Sequence, residues 1–311
     1  MSDWVAGVDL GASKVALSLV NPADALAASR RFPTNAHLGP ERAAVNIVQA
    51  VREMEAETGA RAKAIGICSP GPVDHTTGMI VAPPNMPTWR HVPFRQMIAD
   101  ATGLPVSIEH DAKAAGLGEL HAGAGAARGA RDLAYVIVGT GVGAAIIVNG
   151  QLFRGRHDSA GEIGHVTIDR RGLPGSSGVL GCVESFTSGP YLAIQYERRG
   201  GVAPAGVTLN GESIVRLAAH GDAIANAVLD DAGDALAAGV SIIAMLMDID
   251  LYVIGGSVAK AGERLLAPAR AALPKYCYPH VAKRIEIVET PLHESGAILG
   301  CAWQARELLN R

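Results

Sequence analysis

One pattern occurs twice in this 311-residue chain, and the repeat limits the folds open to it. Val5–Asp9 is a short apolar strand followed by Gly11 and a second strand, Lys14–Val20. About 130 residues later, Ala134–Val138 leads into Gly139-Thr140-Gly141-Val142-Gly143 and a strand running to Val148. Val8-Asp9-Leu10-Gly11 lines up with Val138-Gly139-Thr140-Gly141. A repeat of this size predicts two related domains facing each other. At 32.1 kDa the chain also exceeds what one ordinary core encloses.

Between and after the hairpins, strands alternate with helices. Glu41–Glu57 carries apolar residues at Ala44, Val45, Ile47, Val48, Val51 and Met54 and stops at Gly59, which predicts an amphipathic helix. Ala64–Cys68 and Val106–His110 read as strands, Phe94–Thr102 and Ala112–Ala122 as helices, and Gly123–Gly129 as a linker. In the second half, helices are predicted over Pro190–Arg199, Gly211–Ala219, Asp222–Met247 and Ala297–Leu309, and strands over Leu251–Ile254 and Arg284–Glu289. The stretch Val240–Met247 reads as a buried core helix. Mixed elements of this kind indicate an α/β fold. No G-x-G-x-x-G follows the first strand and no G-x-x-x-x-G-K-[ST] occurs, which disfavours a dinucleotide fold and a P-loop.

Composition removes several functional classes. With 49% hydrophobic and 18% charged residues the chain is not predominantly disordered. A net charge of −3 and a pI near 6.4 give no basic face for nucleic acid. Cys68, Cys182, Cys277 and Cys301 fit no disulfide or metal spacing, which with this length favours a reducing, cytoplasmic setting. No apolar run approaches about 18 residues, so no membrane span is expected, and the first residues do not read as a signal peptide.

Chemistry-bearing residues cluster at strand ends. Asp9 ends the first strand. Gly11 lets backbone N–H groups approach an anion, Ser13 adds a hydroxyl and Lys14 a charge. Asp9 is suited to a hydrated Mg²⁺, although a plain β-turn with a capping Asp has the same pattern. Gly139–Gly143 suits a phosphate, or a sharp hairpin. Ile254-Gly255-Gly256-Ser257 suits the floor of a nucleoside site, or a strand-to-helix turn. Asp111 stands where a strand meets a helix. That is a rigid mount for a catalytic carboxylate and also an ordinary N-cap position. A helix N-terminus favours the ionised carboxylate, which can accept a hydroxyl proton. Glu162 and His165 stand three apart among small residues, and Glu184 follows Cys182. These are either sugar-hydroxyl ligands or ordinary surface and packing residues.

In this order the segments resemble the ROK (repressor, open reading frame, kinase) family of sugar kinases and regulators, over nearly the whole chain. The resemblance rests on Asp9–Lys14, Pro70-Gly71-Pro72-Val73-Asp74, Ala82-Pro83-Pro84-Asn85 with Trp89, and His110-Asp111-Ala112-Lys113-Ala114-Ala115. It continues through Gly139–Gly143, Ala160–His165, Gly181–Glu184 and Ile254-Gly255-Gly256. It implies a two-domain actin-like ATPase (ribonuclease H-like) fold with the active site in the interdomain cleft. The smaller domain would be residues 1–122 with 296–311. The larger, residues 123–295, would carry a homodimer contact.

It also implies roles. Asp111 would be the base for the sugar hydroxyl. Asn85, His110, Glu162, His165 and Glu184 would surround the sugar. Asp9, Gly11, Ser13, Lys14, Thr140, Gly141, Gly255 and Gly256 would serve ATP, with Asp9 holding Mg²⁺ through water. The reading is an ATP-dependent kinase for the 6-hydroxyl of glucose or a related sugar, amino sugars such as kanosamine included. The alternative is a non-catalytic sugar-binding regulator. ROK repressors carry a DNA-binding helix-turn-helix before the first hairpin, and a first strand at Val5 leaves no room for one.

Three departures stand out. Gly11-Ala12-Ser13 replaces two glycines and a Thr, and His110 replaces the usual Asn. Of the usual zinc cluster, a His followed by C-x-C-G-x-x-G-C, the segment Gly175–Cys182 keeps only Cys182 of three thiols. Two of four ligands are too few for a closed structural site, so no structural zinc is expected.

Overall fold

The computed structural model describes residues 3–310, which divide into two compact units. The first takes the described residues through Ala127, Gly155–Asp158, and the chain from Glu294 on. The second comprises Arg128–Arg154 and Ser159–His293.

In the first unit the chain runs β1 (Val5–Leu10), β2 (Lys14–Val20), β3 (Leu26–Pro33), α1 (Pro40–Thr58), β4 (Ile65–Ser69), the small hairpin β5 (Val73–Asp74) and β6 (Met79–Ile80), α2 (Phe94–Thr102), β7 (Val106–His110) and α3 (Asp111–Ala122). The sheet order is β3-β2-β1-β4-β7, with an antiparallel meander on one side and parallel β1, β4 and β7 on the other. Its core is aliphatic around Leu10, Leu17, Ile47, Ile65 and Ile67, closed by buried Trp89, whose indole donates to the Ala36 carbonyl. Strand β3 was not expected, because its pattern is broken by Ser29, Arg30 and Arg31 on a largely exposed edge. The expected linker at Gly123–Gly129 instead contains a helical turn, α4 (Ala124–Arg128). The buried Glu119 carboxylate accepts the Ala124 N–H and starts that turn.

The second unit repeats the plan. It contains β8 (Leu133–Val138), β9 (Val142–Val148), β10 (Gln151–Leu152), α5 (Glu184–Thr187), α6 (Gly189–Arg198), α7 (Gly211–Ala219), α8 (Ala223–Met247), β11 (Leu251–Gly255), α9 (Glu263–Tyr276), α10 (Pro279–Ala282) and β12 (Glu286–Glu289). The sheet order is β10-β9-β8-β11-β12, again a meander followed by parallel strands. The β1–β2 and β8–β9 hairpins therefore hold equivalent places in their sheets, as the sequence repeat implies. Helix α8 is mostly buried, but its last turn opens to solvent at Leu246, contrary to the buried helix expected there.

The C-terminal helix α11 (Gly296–Leu309) packs in the first unit against α3 and β1. Among the described residues, no helix is long and apolar enough to cross a membrane.

Candidate active site

In the first unit, parallel strands bring three strand ends together. The pairing sets Asp9 beside Cys68 and Ser69 beside His110, with Asp111 following at once as the first residue of α3. The Cys68 thiol donates to Asp9 Oδ1 at 3.5 Å. Burial, then the Asp111 charge, push the Asp9 carboxyl up to about 6. The Cys68 thiol is raised by its hydrogen bond to Cys301 and by burial, which marks it as unreactive.

His110, not Asp111, holds the N-cap position of α3, and no side chain caps the helix. Asp111 Oδ1 accepts the adjacent Ala112 N–H, at 2.6 Å. The His110 ring nitrogen Nδ1 lies 3.2 Å from the same oxygen. Gly11 closes the first hairpin, its N–H donating to the Lys14 carbonyl at 2.9 Å. Ser13 and Lys14 are exposed at the tip, and Lys14 pairs with Glu294 at 3.6 Å. Asn85 is exposed in the turn between Pro83 and Met86.

In the second unit, Gly139 and Gly141 close the β8–β9 turn by a 2.9 Å hydrogen bond, with Thr140 exposed at its tip. Gly189 N–H donates to the Gly139 carbonyl, and the Gly255–Gly256 turn packs on Tyr135 and Val138 of β8. The segment carrying Glu162 and His165 lies against β9. A Cβ at Gly161 would meet the Ala144 carbonyl at 1.9 Å, and one at Gly164 the Val142 carbonyl at 2.1 Å. Small residues flank these polar groups because two backbones meet there. His165 Nε2 and Glu162 Oε2 are 3.9 Å apart, both side chains partly exposed.

Glu184 differs from Glu162. Its side chain is buried, Oε2 accepts the Val142 N–H at 3.2 Å, and Oε1 accepts the Ser176 N–H at 3.1 Å and the Ser176 hydroxyl. The carboxylate thus ties the glycine turn to the 172–182 loop.

Mg²⁺, an oxygen-seeking cation, fits the first unit. Asp9 is a partly buried carboxylate beside a second carboxylate, and a cation would relieve both the burial and the repulsion. Zinc does not fit the 175–182 loop. A Cβ at Gly175 would stand 2.4 Å from Cys182 Sγ, and Ser177 Oγ is 3.1 Å from His165 Nδ1. Backbone bonds from Gly175 N to Val179 O, Gly178 N to Gly175 O and Gly181 N to Leu173 O close the loop on itself. The group of possible metal ligands found among the described residues is Asp74, His75 and Asp158. There Asp74 already accepts from Thr76 and Thr77, and His75 already meets Asp158.

Sequence reasoning missed Ser176 and Thr34. Buried Thr34 donates its hydroxyl to the Gly11 carbonyl at 2.6 Å and its N–H to the Ser13 carbonyl. Both residues act through loop contacts that no local pattern encodes.

The ROK family profile matches residues 5–307. A glucokinase of Thermotoga maritima is 31% identical over 95% of each chain. The structure of a ROK hexokinase from Thermus thermophilus superposes with a TM-score of 0.82 at 30% identity, covering 99% of each chain. A ROK glucokinase from Streptomyces griseus, in complex with glucose and AMPPNP, gives a TM-score of 0.82 at 29% identity, covering 98% of this chain and 99% of that one. These neighbours share the two-domain actin-like ATPase fold. A family match along nearly the full length, together with strand-end carboxylates on that fold, places this chain in the ROK family.

Proposed function

We propose that this protein is an ATP-dependent hexose kinase that phosphorylates the 6-hydroxyl of glucose or a closely related sugar. The observation that carries the reading is Asp111. It is fixed at a strand-to-helix junction, is partly exposed, and is not used to cap its helix. Similarity to glucokinases along almost the whole chain supports the substrate class.

Asp111 accepts the proton of the 6-hydroxyl as that oxygen attacks the γ-phosphate. Asp9 would hold Mg²⁺, which neutralises phosphate charge when bound. Apart from the Gly11 and Gly139 N–H groups, which close their own turns, the N–H groups and hydroxyls of the Gly11–Lys14 and Gly139–Gly141 turns bind phosphate oxygens, and Gly255 and Gly256 border the nucleoside. Asn85, His110, Glu162, His165 and Glu184 take the sugar hydroxyls. Positioning and electrostatics supply most of the rate in such a transfer.

His110 brings an imidazole where the resembling family has an amide, so an amino sugar such as kanosamine belongs among the substrates to be tried. A neutral ring nitrogen accepts from an ammonium. The test is ADP release in a coupled assay with glucose, mannose, N-acetylated hexosamines and 3-amino-3-deoxyglucose. Turnover of at least one hexose, with phosphate on the 6-hydroxyl, supports the kinase. Sugar binding without ADP release from any of them replaces it with a sugar-binding regulator.

A further inference from the structure

We propose that His110 is a positioning residue. Its imidazole, seated on Gly71, fixes the rotation of the Asp111 carboxylate and leaves Oδ2 as the oxygen that receives the substrate proton. The proposal rests on the kinase reading and assigns this chain's departure at position 110 a role inside that site.

The ring is held from two sides. Its Nδ1 edge meets Asp111 Oδ1 at 3.2 Å. Its opposite edge lies over Gly71, where a Cβ would stand 2.4 Å from Cδ2 and 2.6 Å from Nε2. Gly71 is not among the residues with positive φ, so its backbone does not require glycine. What requires glycine there is the imidazole. The backbone of His110 is fixed as well, as the last residue of β7 paired with Ser69 and the N-cap of α3.

The electrostatic consequence falls on one oxygen. Oδ1 already accepts the Ala112 N–H at 2.6 Å. At 3.2 Å the Nδ1 edge stands at ion-pair distance, and a neutral imidazole carrying its proton on Nδ1 would set positive partial charge against Oδ1. The side chain of Asp111 is 38% exposed, so without these contacts its carboxylate would turn freely about its terminal bond. With them the two oxygens are unequal, and the proton acceptor is selected before the sugar arrives. Catalysis gains from such fixed orientation.

The decisive experiment is a double-mutant cycle on turnover with the preferred sugar. G71A should displace the ring and lower kcat by about tenfold or more, over and above any rise in KM from the ring's contact with the sugar. H110A should lower kcat in the same way. In the H110A background G71A should cost nothing further, because there is no ring left to displace. Equal losses from G71A in both backgrounds, or a loss confined to KM, would overturn the proposal.

A second measurement depends on neither the fold of G71A nor turnover. In long-range ¹H–¹⁵N spectra of the histidine-labelled protein above about pH 7.5, where an ordinary imidazole is neutral, His110 should carry its proton on Nδ1. D111A should shift that population toward Nε2. A wild-type His110 protonated on Nε2, or a tautomer ratio unmoved by D111A, would refute the pairing. If no hexose is turned over, the kinase reading fails, while the tautomer result still decides whether His110 engages Asp111.

Discussion

The Ser177 hydroxyl lies 3.1 Å from Nδ1 of His165, joining two positions that the family motif assigns to zinc ligands. The other two, Gly175 and Cys182, are also in contact, with the Gly175 backbone packed on the Cys182 sulfur. The loop is held by its own hydrogen bonds.

Protein purified without chelators should therefore contain far less than one zinc per chain by elemental analysis, and EDTA should leave its Tm unchanged. A closed structural site needs four ligands, and a serine hydroxyl is a weak substitute for a thiolate. One zinc per chain that disappears in Cys182→Ser would overturn this.

The same loop depends on Glu184. Glu184→Gln replaces one carboxylate oxygen with an amide donor, so the N–H of either Val142 or Ser176 loses its acceptor inside the protein. An unsatisfied buried donor costs about 1–3 kcal/mol, and urea unfolding should show a loss in that range. Ser176→Ala removes only the hydroxyl and should cost less, about 1 kcal/mol. A Glu184→Gln protein as stable as wild type would mean that the carboxylate does not hold the loop.

Much of the architecture is legible in the chain because it rests on local rules. The glycine turns, the helix stops at Gly59 and Gly103 and the strand runs all depend on adjacent residues. The hairpin repeat carries further, because equal patterns produced equal sheet orders. Strand β3 was not legible, since an exposed edge needs no alternating apolar face. The contacts made by Ser176, Thr34 and Gly71 were hidden for another reason. Each acts on a residue distant in sequence, and serine, threonine and glycine are common in loops for many purposes.

Asp9 predicts a pH dependence with a definite sign. Its carboxyl is raised to about 6 in the folded chain from an ordinary 3.8. The folded state therefore holds this proton more tightly than the unfolded one. The stabilising contribution is complete below 3.8 and is lost as pH rises through about 6, by roughly 3 kcal/mol at most. In metal-free protein, the stability difference between wild type and Asp9→Asn should move against wild type across that window. Mg²⁺ supplies the missing counter-charge, so it should raise the Tm of wild type more at pH 7.5 than at pH 5.5, and leave Asp9→Asn unmoved. An equal Mg²⁺ effect in both proteins would place the cation elsewhere.

The remaining prediction concerns Asp111 and the proton. Asp111→Asn preserves the size of the side chain and an oxygen for the Ala112 N–H, so helix α3 should begin where it does now. What the amide lacks is basicity. If Asp111 takes the hydroxyl proton, kcat should fall by at least about a hundredfold, the lower end of general-base effects, while Tm stays within a degree or two of wild type. KM for the sugar should change less than kcat, since the amide NH2 in the place of Oδ2 can still donate to the oxygen of the hydroxyl it no longer deprotonates. Activity within a few-fold of wild type would remove Asp111 from the base role. The acceptor would then have to be sought at Asp9, the carboxylate whose charge Asp111 already disturbs.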